Sequence, residues 1–450
     1  NITLNVGNRY TDAGYTVAGF NTANSGDYTV YGYNVTTSGE VNTSVAGKYT
    51  IEYILTRTYD NGTETVTEEV MREIRTVNVV DTASYMITEW NVSGDAGLTI
   101  TLPVSGTGLN ITVDWGDGTE SEVITTAFPT HTYATTGIYE ISVLGNCPVW
   151  GHLSAGKITD EEYSTYIKYL TKVKQFGELN AKRYGFTDCE NLTEVKGATT
   201  KTTQNLERLE YMFNSCTSLT SVDLTNFKTE NIESFRGMFL GCKVLTNLNI
   251  SDIRTNSAKC MDRMFESCES LSSIDLSNFI TDNVSIMSRM FFDCKNISTL
   301  DLSSFNTSNV EKMDSMFGGC TELNEIKFGN NFNTNKVTAM ESMFSGCRKL
   351  KILDLTGFDT SNVTNMRSMF NSCVALKNLN VTNFDTSKVT DFSSMFYNML
   401  NIETLDISNF DTRNGDTLNM FVHASKLKSI QIGENFVVPE ATTEVFQNCS

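Results

Sequence analysis

From about residue 181 to the end, apolar residues recur with a period near 26. Cys189, Cys216, Cys242, Cys268, Cys294, Cys320, Cys347 and Cys373 are separated by 27, 26, 26, 26, 26, 27 and 26 residues, and Met399, Ala424 and Cys449 continue the column. After each Cys comes Leu-x-x-Leu-x-Leu, as in Leu271, Ile274 and Leu276 or Leu350, Leu353 and Leu355, which predicts a short strand with one aliphatic face inward. An aromatic column follows at Phe227, Phe279, Phe305, Phe332, Phe358, Phe384, Phe410 and Phe436, with Ile253 as the one substitute. Two residues later stands a Thr column, unbroken from Thr229 to Thr412, whose hydroxyls can satisfy backbone groups at a corner. Val or Ile, then Met or Phe, then a Met-Phe pair close the unit, and their spacing of three or four predicts one or two helical turns per coil on the outer face. One coil cannot bury its own apolar side, so the period predicts a solenoid whose core exists only between stacked neighbours.

The first 180 residues have a different rhythm. From Asn1 to about Val80, apolar and polar residues alternate, as in "GKYTIEYILTRTYDNGTETV", with Gly, Asn and Asp at the breaks. This predicts a small antiparallel sandwich. Further on, the Asp-Gly turn of "VDWGDGT" predicts a tight hairpin with Trp115 beside it as a core plug. Residues 147–180 are expected to cap the first coil, with a short helix around Glu161 to Leu170.

Length alone implies about three domains. With 53 acidic and 34 basic residues the formal charge is −19, which argues against nucleic acid or an anionic bilayer as the main partner. No run of about 18 apolar residues is present to span a membrane. Nor does the sequence open on a basic segment followed by an apolar one, which leaves any secretion signal outside it. Eleven cysteines would allow a disulfide scaffold, but the periodic spacing points elsewhere. Coils stacked at about 4.8 Å keep parallel Cβ atoms about that far apart, beyond the preferred disulfide separation, so buried thiols are expected. One ligand per coil, all pointing the same way, cannot surround a tetrahedral ion. Cys147 and Cys260 lie outside the column.

The units "LDLSSFNTSNVEKMDSMFGGC" and "LDLTGFDTSNVTNMRSMFNSC" resemble the 26-residue leucine-rich repeats of the BspA-type bacterial surface protein family, over about ten units from residue 181 to 450. The stretches "LNVGNRYTDAGYT" and "VNTSVAGKYTIEYILTRTYDNGT" resemble bacterial immunoglobulin-like modules, and "VDWGDGT" with "HTYATTGIYEISVLG" resembles a polycystic-kidney-disease (PKD) type module. The expected fold is therefore mainly β with short helical turns. Two N-terminal β-sandwiches, Ig-like over 1–82 and PKD-like over 83–146, precede a linker and cap over 147–180 and a leucine-rich-repeat solenoid over 181–450.

Candidate chemistry is sparse. The only histidines, His131, His152 and His423, lie in three separate regions, and no phosphate loop, dinucleotide fingerprint or zinc-protease motif is present. A calcium site at Asp114 and Asp117 would need more oxygen ligands than these two carboxylates. No cofactor and no metal is implied. The binding candidates are the polar residues between inward strand positions, Asp223, Asn249, Asp275, Asp301, Lys327, Asp354, Asn380 and Asp406, which must face outward from the concave sheet. Carboxylates stacked about 5 Å apart, as at Asp275 and Asp301, repel unless a cation or a donor sits between them. The resemblance implies a non-enzymatic adhesin or recognition protein, extracellular and held at the cell surface, with a protein or glycan partner on a host or neighbouring cell. A virion fibre or decoration protein with a capsid or tail partner is the alternative.

Overall fold

A computed structural model of the chain describes residues 2–5, 29–42, 47–80, 85–93, 98–151, 167–177, 185–197, 209–438 and 445–449. Two compact units are present, Asn1–Ser84 and Tyr85–Ser450.

In the first unit, β1 (Ile2–Asn5), β2 (Thr29–Ser38), β3 (Gly47–Asp60) and β4 (Thr65–Val80) form one four-stranded sheet in the order β1-β4-β3-β2. β3 and β4 are a long hairpin, paired from Gly47↔Val79 to Asp60↔Thr65. Its turn is closed by Asn61, whose Oδ1 accepts from the amides of Thr63 and Glu64. The alternation along β3 buries Ile51, Tyr53 and Leu55, and Ile51 and Tyr53 pack with Val77. The sandwich expected over 1–82 also includes residues 6–28, which lie outside the described residues.

The second unit begins with β5 (Met86–Val92), β6 (Thr99–Thr101), β7 (Val104–Ser105), β8 (Asn110–Asp114), β9 (Glu122–Ile124), β10 (Thr130–Thr132), β11 (Gly137–Asn146) and β12 (Val149–Trp150). It continues with β13 (Leu170–Gln175), β14 (Glu194–Val195), β15 (Ser221–Asp223) and β16 (Asn247–Asn249). Eight of these strands form a single sheet in the order β16-β15-β14-β13-β5-β11-β8-β9. The sheet is antiparallel from β9 to β13 and parallel from β13 onward, so the module after Tyr85 and the first coils share their hydrogen bonds directly. One hydrophobic core runs without interruption from Met86 to Val445. At the changeover, Glu89 of β5 is buried and held by Lys172 and Lys174 of β13 at 3.1 and 2.9 Å. Burial opposes its charge, but these lysines and the Thr171 hydroxyl outweigh it and hold the carboxyl below its usual range. The helix expected around Glu161 to Leu170 falls largely outside the described residues, and Leu170 itself opens β13.

The repeats form a β-solenoid of about nine turns. Further strand pairs, β17 (Thr299–Leu302) with β18 (Glu325–Phe328) and β19 (Thr404–Ile407) with β20 (Ser429–Ile432), are parallel and in register. A second line of parallel bridges runs Ser234, Cys260, Ile286, Lys312, Ala339, Asn365, Asp391, Asp416.

The expected helical turns do not form among the described repeat residues 209–438. In the coil around Met264, the amides of Met261, Arg263, Phe265 and Ser267 donate to Ile286, Ser288, Met290 and Phe292 of the next coil. Those of Met264, Glu266 and Cys268 donate back three residues, to Met261, Arg263 and Phe265. An α-helix would need every amide for its own i−4 carbonyl, whereas here every second amide is committed to a neighbour. The device is a pair of left-handed residues, one before Met-Phe and one before Cys: Arg263 and Ser267, Ser342 and Gly346, Ser368 and Ser372 all have positive φ. Apolar spacing of three and four is thus produced by tandem turns. Ser, Gly, Asn and Asp dominate the position before Cys because they tolerate the left-handed conformation.

Three inward ladders fill the coils. Eleven Phe rings, from Phe186 through Phe291 to Phe446, stack with centroids 5.2–6.2 Å apart and planes within 2–13°. This is the offset parallel arrangement that aromatic quadrupoles favour. Thr hydroxyls form the second ladder: Thr281 Oγ1 donates to Asn306 O at 2.8 Å and accepts from Asn306 N at 2.9 Å, and Thr307 does the same with Asn333. The thiols form the third: from Cys216 to Cys373 each donates to the carbonyl of a stacked phenylalanine one coil earlier, as Cys294 does to Phe265 O at 3.1 Å.

All the cysteines are free. Burial raises the thiols from Cys216 to Cys373 far above their usual pKa, Cys373 to about 12, so these seven carry no reactive thiolate at neutral pH. Cys260 is half-buried in the bridge line. We expect iodoacetamide to modify Cys260 in the native protein while the buried column thiols react only after unfolding, as counted by mass spectrometry. Labelling of the column at the rate of Cys260 would contradict the stacked coils.

Candidate functional site

Strand register places the outward residues side by side, Asp223 opposite Asn249, Asp301 opposite Lys327 and Asp406 opposite Gln431. The alternation of β17, with Thr299 and Asp301 exposed and Leu300 and Leu302 buried, shows how the strand turns this column to solvent. Asp275, Asp354 and Asn380 hold the same position in coils where no strand is formed.

Each acidic or amide residue of the stripe has a second task. Asp223 Oδ1 accepts from the amide and hydroxyl of Thr225. Asn249 does so from Ser251, Asp301 from Ser303, Asp354 from Thr356, Asn380 from Thr382 and Asp406 from Ser408, while Asp275 accepts the Ser277 amide. The column therefore closes the turn that follows each strand. The sequence signal for this role is the Ser or Thr two residues on.

These local donors also settle the electrostatics. The Ser303 hydroxyl and amide, then Lys327 Nζ 3.0 Å from Asp301 Oδ2, draw the Asp301 carboxyl down to about 2. Asp275, Asp354 and Asp406 are lowered by their own turn donors. Asp117 reaches about 2 through the Thr119 hydroxyl, which with His131 outweighs the cost of desolvation. A carboxyl lowered in the folded state stabilises above its unfolded pKa near 4 and loses that contribution as the pH falls toward 2. Burial raises Asp262, Glu266 and Asp293, which act in the opposite direction, but they are fewer. The melting temperature is expected to fall between about pH 4 and pH 2, less steeply for Asp301→Asn.

The regular column breaks once in its middle. Lys327 replaces the carboxylate, Gly329 replaces the Ser or Thr, and the chain takes four steps from Phe328 to Phe332 where Leu276 to Phe279 takes three. Glycine is required here because a Cβ on Gly329 would lie 2.3 Å from Ser303 O. No backbone hydrogen bond joins Glu325–Phe328 to residues 351–355 among the described residues. A crevice of about 1240 Å³ opens there between the 27-residue coil and the next.

Lys327, Phe328, Lys351, Ile352, Asp354 and Phe358 help to line it. Phe328 lies 4.5 Å from Phe332 and 5.4 Å from Phe358, centroid to centroid. Ile352 is 77% exposed at an outward position that other coils fill with Ser221, Asn247, Ser273, Thr299, Asn378 or Thr404. Of the crevice residues named here, pattern reading had singled out Lys327, Asp354 and the Phe358 column; Ile352 could have been found as the aliphatic residue out of phase with its own strand.

Elsewhere the candidates are engaged locally. His131 stacks on Trp115 at 4.7 Å and 11°, with Nε2 2.8 Å from Asp117 Oδ2. Asp117 Oδ1 takes the Thr119 hydroxyl, and Asp114 Oδ1 takes the Gly116 amide. Among the described residues no group of three or more His, Cys, Asp or Glu side chains is placed to hold a metal, and no helix is long and apolar enough to cross a membrane.

Parallel coils with inward Cys, Thr and Phe ladders define a repeat solenoid, and the sequence comparison agrees. The family described as "Mycoplasma protein of unknown function, DUF285" matches residues 183–274, 207–327, 243–353 and 343–450. These overlapping matches cover more than half of the chain, which belongs to this BspA-like repeat family. No curated protein and no solved structure matches it.

Proposed function

We propose that the protein is a non-enzymatic recognition protein of a cell surface, and that its solenoid presents the outward stripe and crevice to a protein or glycan. Ig-like and PKD-like modules at the N-terminal end would serve as the support. The observation that carries this reading is the in-register stacking of exposed polar side chains over successive coils, which makes a broad surface of one repeated chemistry. Membership in a repeat family is consistent with it.

The turn-closing role of the stripe dictates the test. Reversing charge at these positions would remove the acceptor that each turn needs, whereas Asn249 and Asn380 show that an amide serves equally well. The triple variant Asp275→Asn, Asp301→Asn, Asp354→Asn removes three charges and keeps the acceptors. In a binding screen over glycans and extracellular-matrix proteins, we expect the triple variant to bind its partner at least several-fold more weakly with little change in melting temperature. Equal binding by the two proteins would exclude the stripe.

A further inference from the structure

We infer that the crevice beside the 27-residue coil binds a neutral oligosaccharide. This rests on the recognition reading above and narrows it to one site and one ligand class.

Three observations point there. The first is charge. On a chain of net charge −19, the crevice is lined by Lys327, Lys349 and Lys351 against Glu325, Asp354 and Asp359, three of each sign. An acidic ligand would approach through the field of the whole protein and find no local excess of positive charge. Lys327 is already paired with Asp301, and Lys349 with Glu322. A neutral ligand meets no such opposition.

The second is the mixture of surfaces. The half-buried Phe328 and the exposed Ile352 supply apolar faces above the buried Phe358, within a lining otherwise mostly of amides, carboxylates and ammonium groups, among them Asn330, Asn333 and Lys351. Sugar rings carry C–H faces that pack on aromatic and aliphatic side chains. Their hydroxyls both donate and accept, which suits a lining containing both kinds of partner. Asp354 spends Oδ1 on its turn. Lys351 makes no side-chain hydrogen bond or ion pair among the described residues.

The third is shape. A volume of about 1240 Å³ exceeds the roughly 300–1,000 Å³ of sites for single small molecules, and it is concave where a globular partner would need a wide, complementary face. A chain of several sugar rings fits both conditions. The feature is also local. It comes from one inserted residue and two departures from the repeat, Phe328 in the Leu column and Ile352 in the polar column.

Those departures supply the variants. Phe328→Leu and Ile352→Ser restore residues that other coils carry at the same places, and the double variant should keep the melting temperature of the parent. The full chain is screened on an array of neutral chito-, cello-, manno- and lacto-oligosaccharides with sulfated and sialylated glycans and acidic peptides alongside. The strongest neutral hit is then titrated by calorimetry. We expect one neutral series to bind, the double variant to lose roughly tenfold or more in affinity, and Lys312→Ala, exposed on the second bridge line and outside both the crevice and the stripe, to bind as the parent does. If the double variant melts lower, Lys351→Ala, at an exposed position, replaces it with the same expectation. Failure of every neutral oligosaccharide to bind at millimolar concentration overturns the inference, while a protein ligand found in the wider screen would leave the recognition reading intact. Binding only of anionic glycans or peptides overturns the ligand class. Neutral-glycan binding that the crevice variants leave unchanged overturns the site.

Discussion

Phe291→Ala is expected to destabilise the second unit by about 3–5 kcal/mol, the range for removing a large aromatic side chain from a packed core. Phe291 is fully buried and stacks on Phe265 at 5.6 Å and on Phe317 at 6.2 Å. Its backbone amide donates to Met316 of the next coil, and its carbonyl accepts the Cys320 thiol. Truncation therefore leaves a void touching three coils, and in a solenoid each coil has only its neighbours to stabilise it. Phe446, at one end of the stack, has Phe421 as its one stacking partner among the described residues and is 45% exposed. Phe446→Ala should cost about 1 kcal/mol or less, because half of the ring is already in water. Guanidinium unfolding followed by circular dichroism gives both numbers. A loss at Phe291 no larger than that at Phe446 would mean that the stacked rings are not what holds the coils together.

Side chains facing the interior repeat because the same neighbour recurs in every coil, and this is why the columns of Cys, Thr, Phe and Leu are legible in the sequence. Backbone direction was less so. The Met261, Met264, Phe265 and Cys268 spacing fits a helix and a pair of tandem turns equally well, since both bring residues three and four apart to one face. What separates them is the left-handed residue before Met-Phe and before Cys, visible only as a weak run of Ser, Gly, Asn and Asp, for example Ser267, Asp293, Gly319 and Gly346. The continuity of the sheet through β13 into β5 was hidden for another reason. A strand of alternating pattern does not reveal whether its edge pairs with its own module or with the next.

The stripe is legible in the sequence as a position, but its turn-closing role is not. Asp301 or Asp354 is exposed, as outward alternation requires, yet the hydroxyl two residues later gives each carboxylate a turn to close. The crevice went unseen because it arises from an insertion. A coil of 27 residues shifts Gly329 and Asn330 out of the periodic frame, and column reading treats the extra residue as noise. Regularity identifies the scaffold, whereas departures from it, such as Phe328 and Ile352, mark the place with properties of its own.

Thr307→Val should cost about 2–4 kcal/mol although it preserves the shape of the side chain. Thr307 is fully buried, and its Oγ1 donates to Asn333 O and accepts from Asn333 N, both at 2.7 Å. Valine fills the same space and satisfies neither group. Each buried partner left unpaired costs about 1–3 kcal/mol, well above the net worth of an ordinary hydrogen bond. Thr307→Ser keeps the hydroxyl and removes one methyl, so about 1 kcal/mol is expected there. The ordering separates packing from hydrogen bonding: if the ladder acts through its methyls, serine is the worse replacement, and if it acts through its hydroxyls, valine is. Amide exchange at Asn333 provides a second reading, since its N–H loses its acceptor in the valine variant and should exchange faster there than in the serine variant. Equal stability of the valine and parent proteins would show that these corner groups find water or another partner, and that the Thr column does not hold the coils in register.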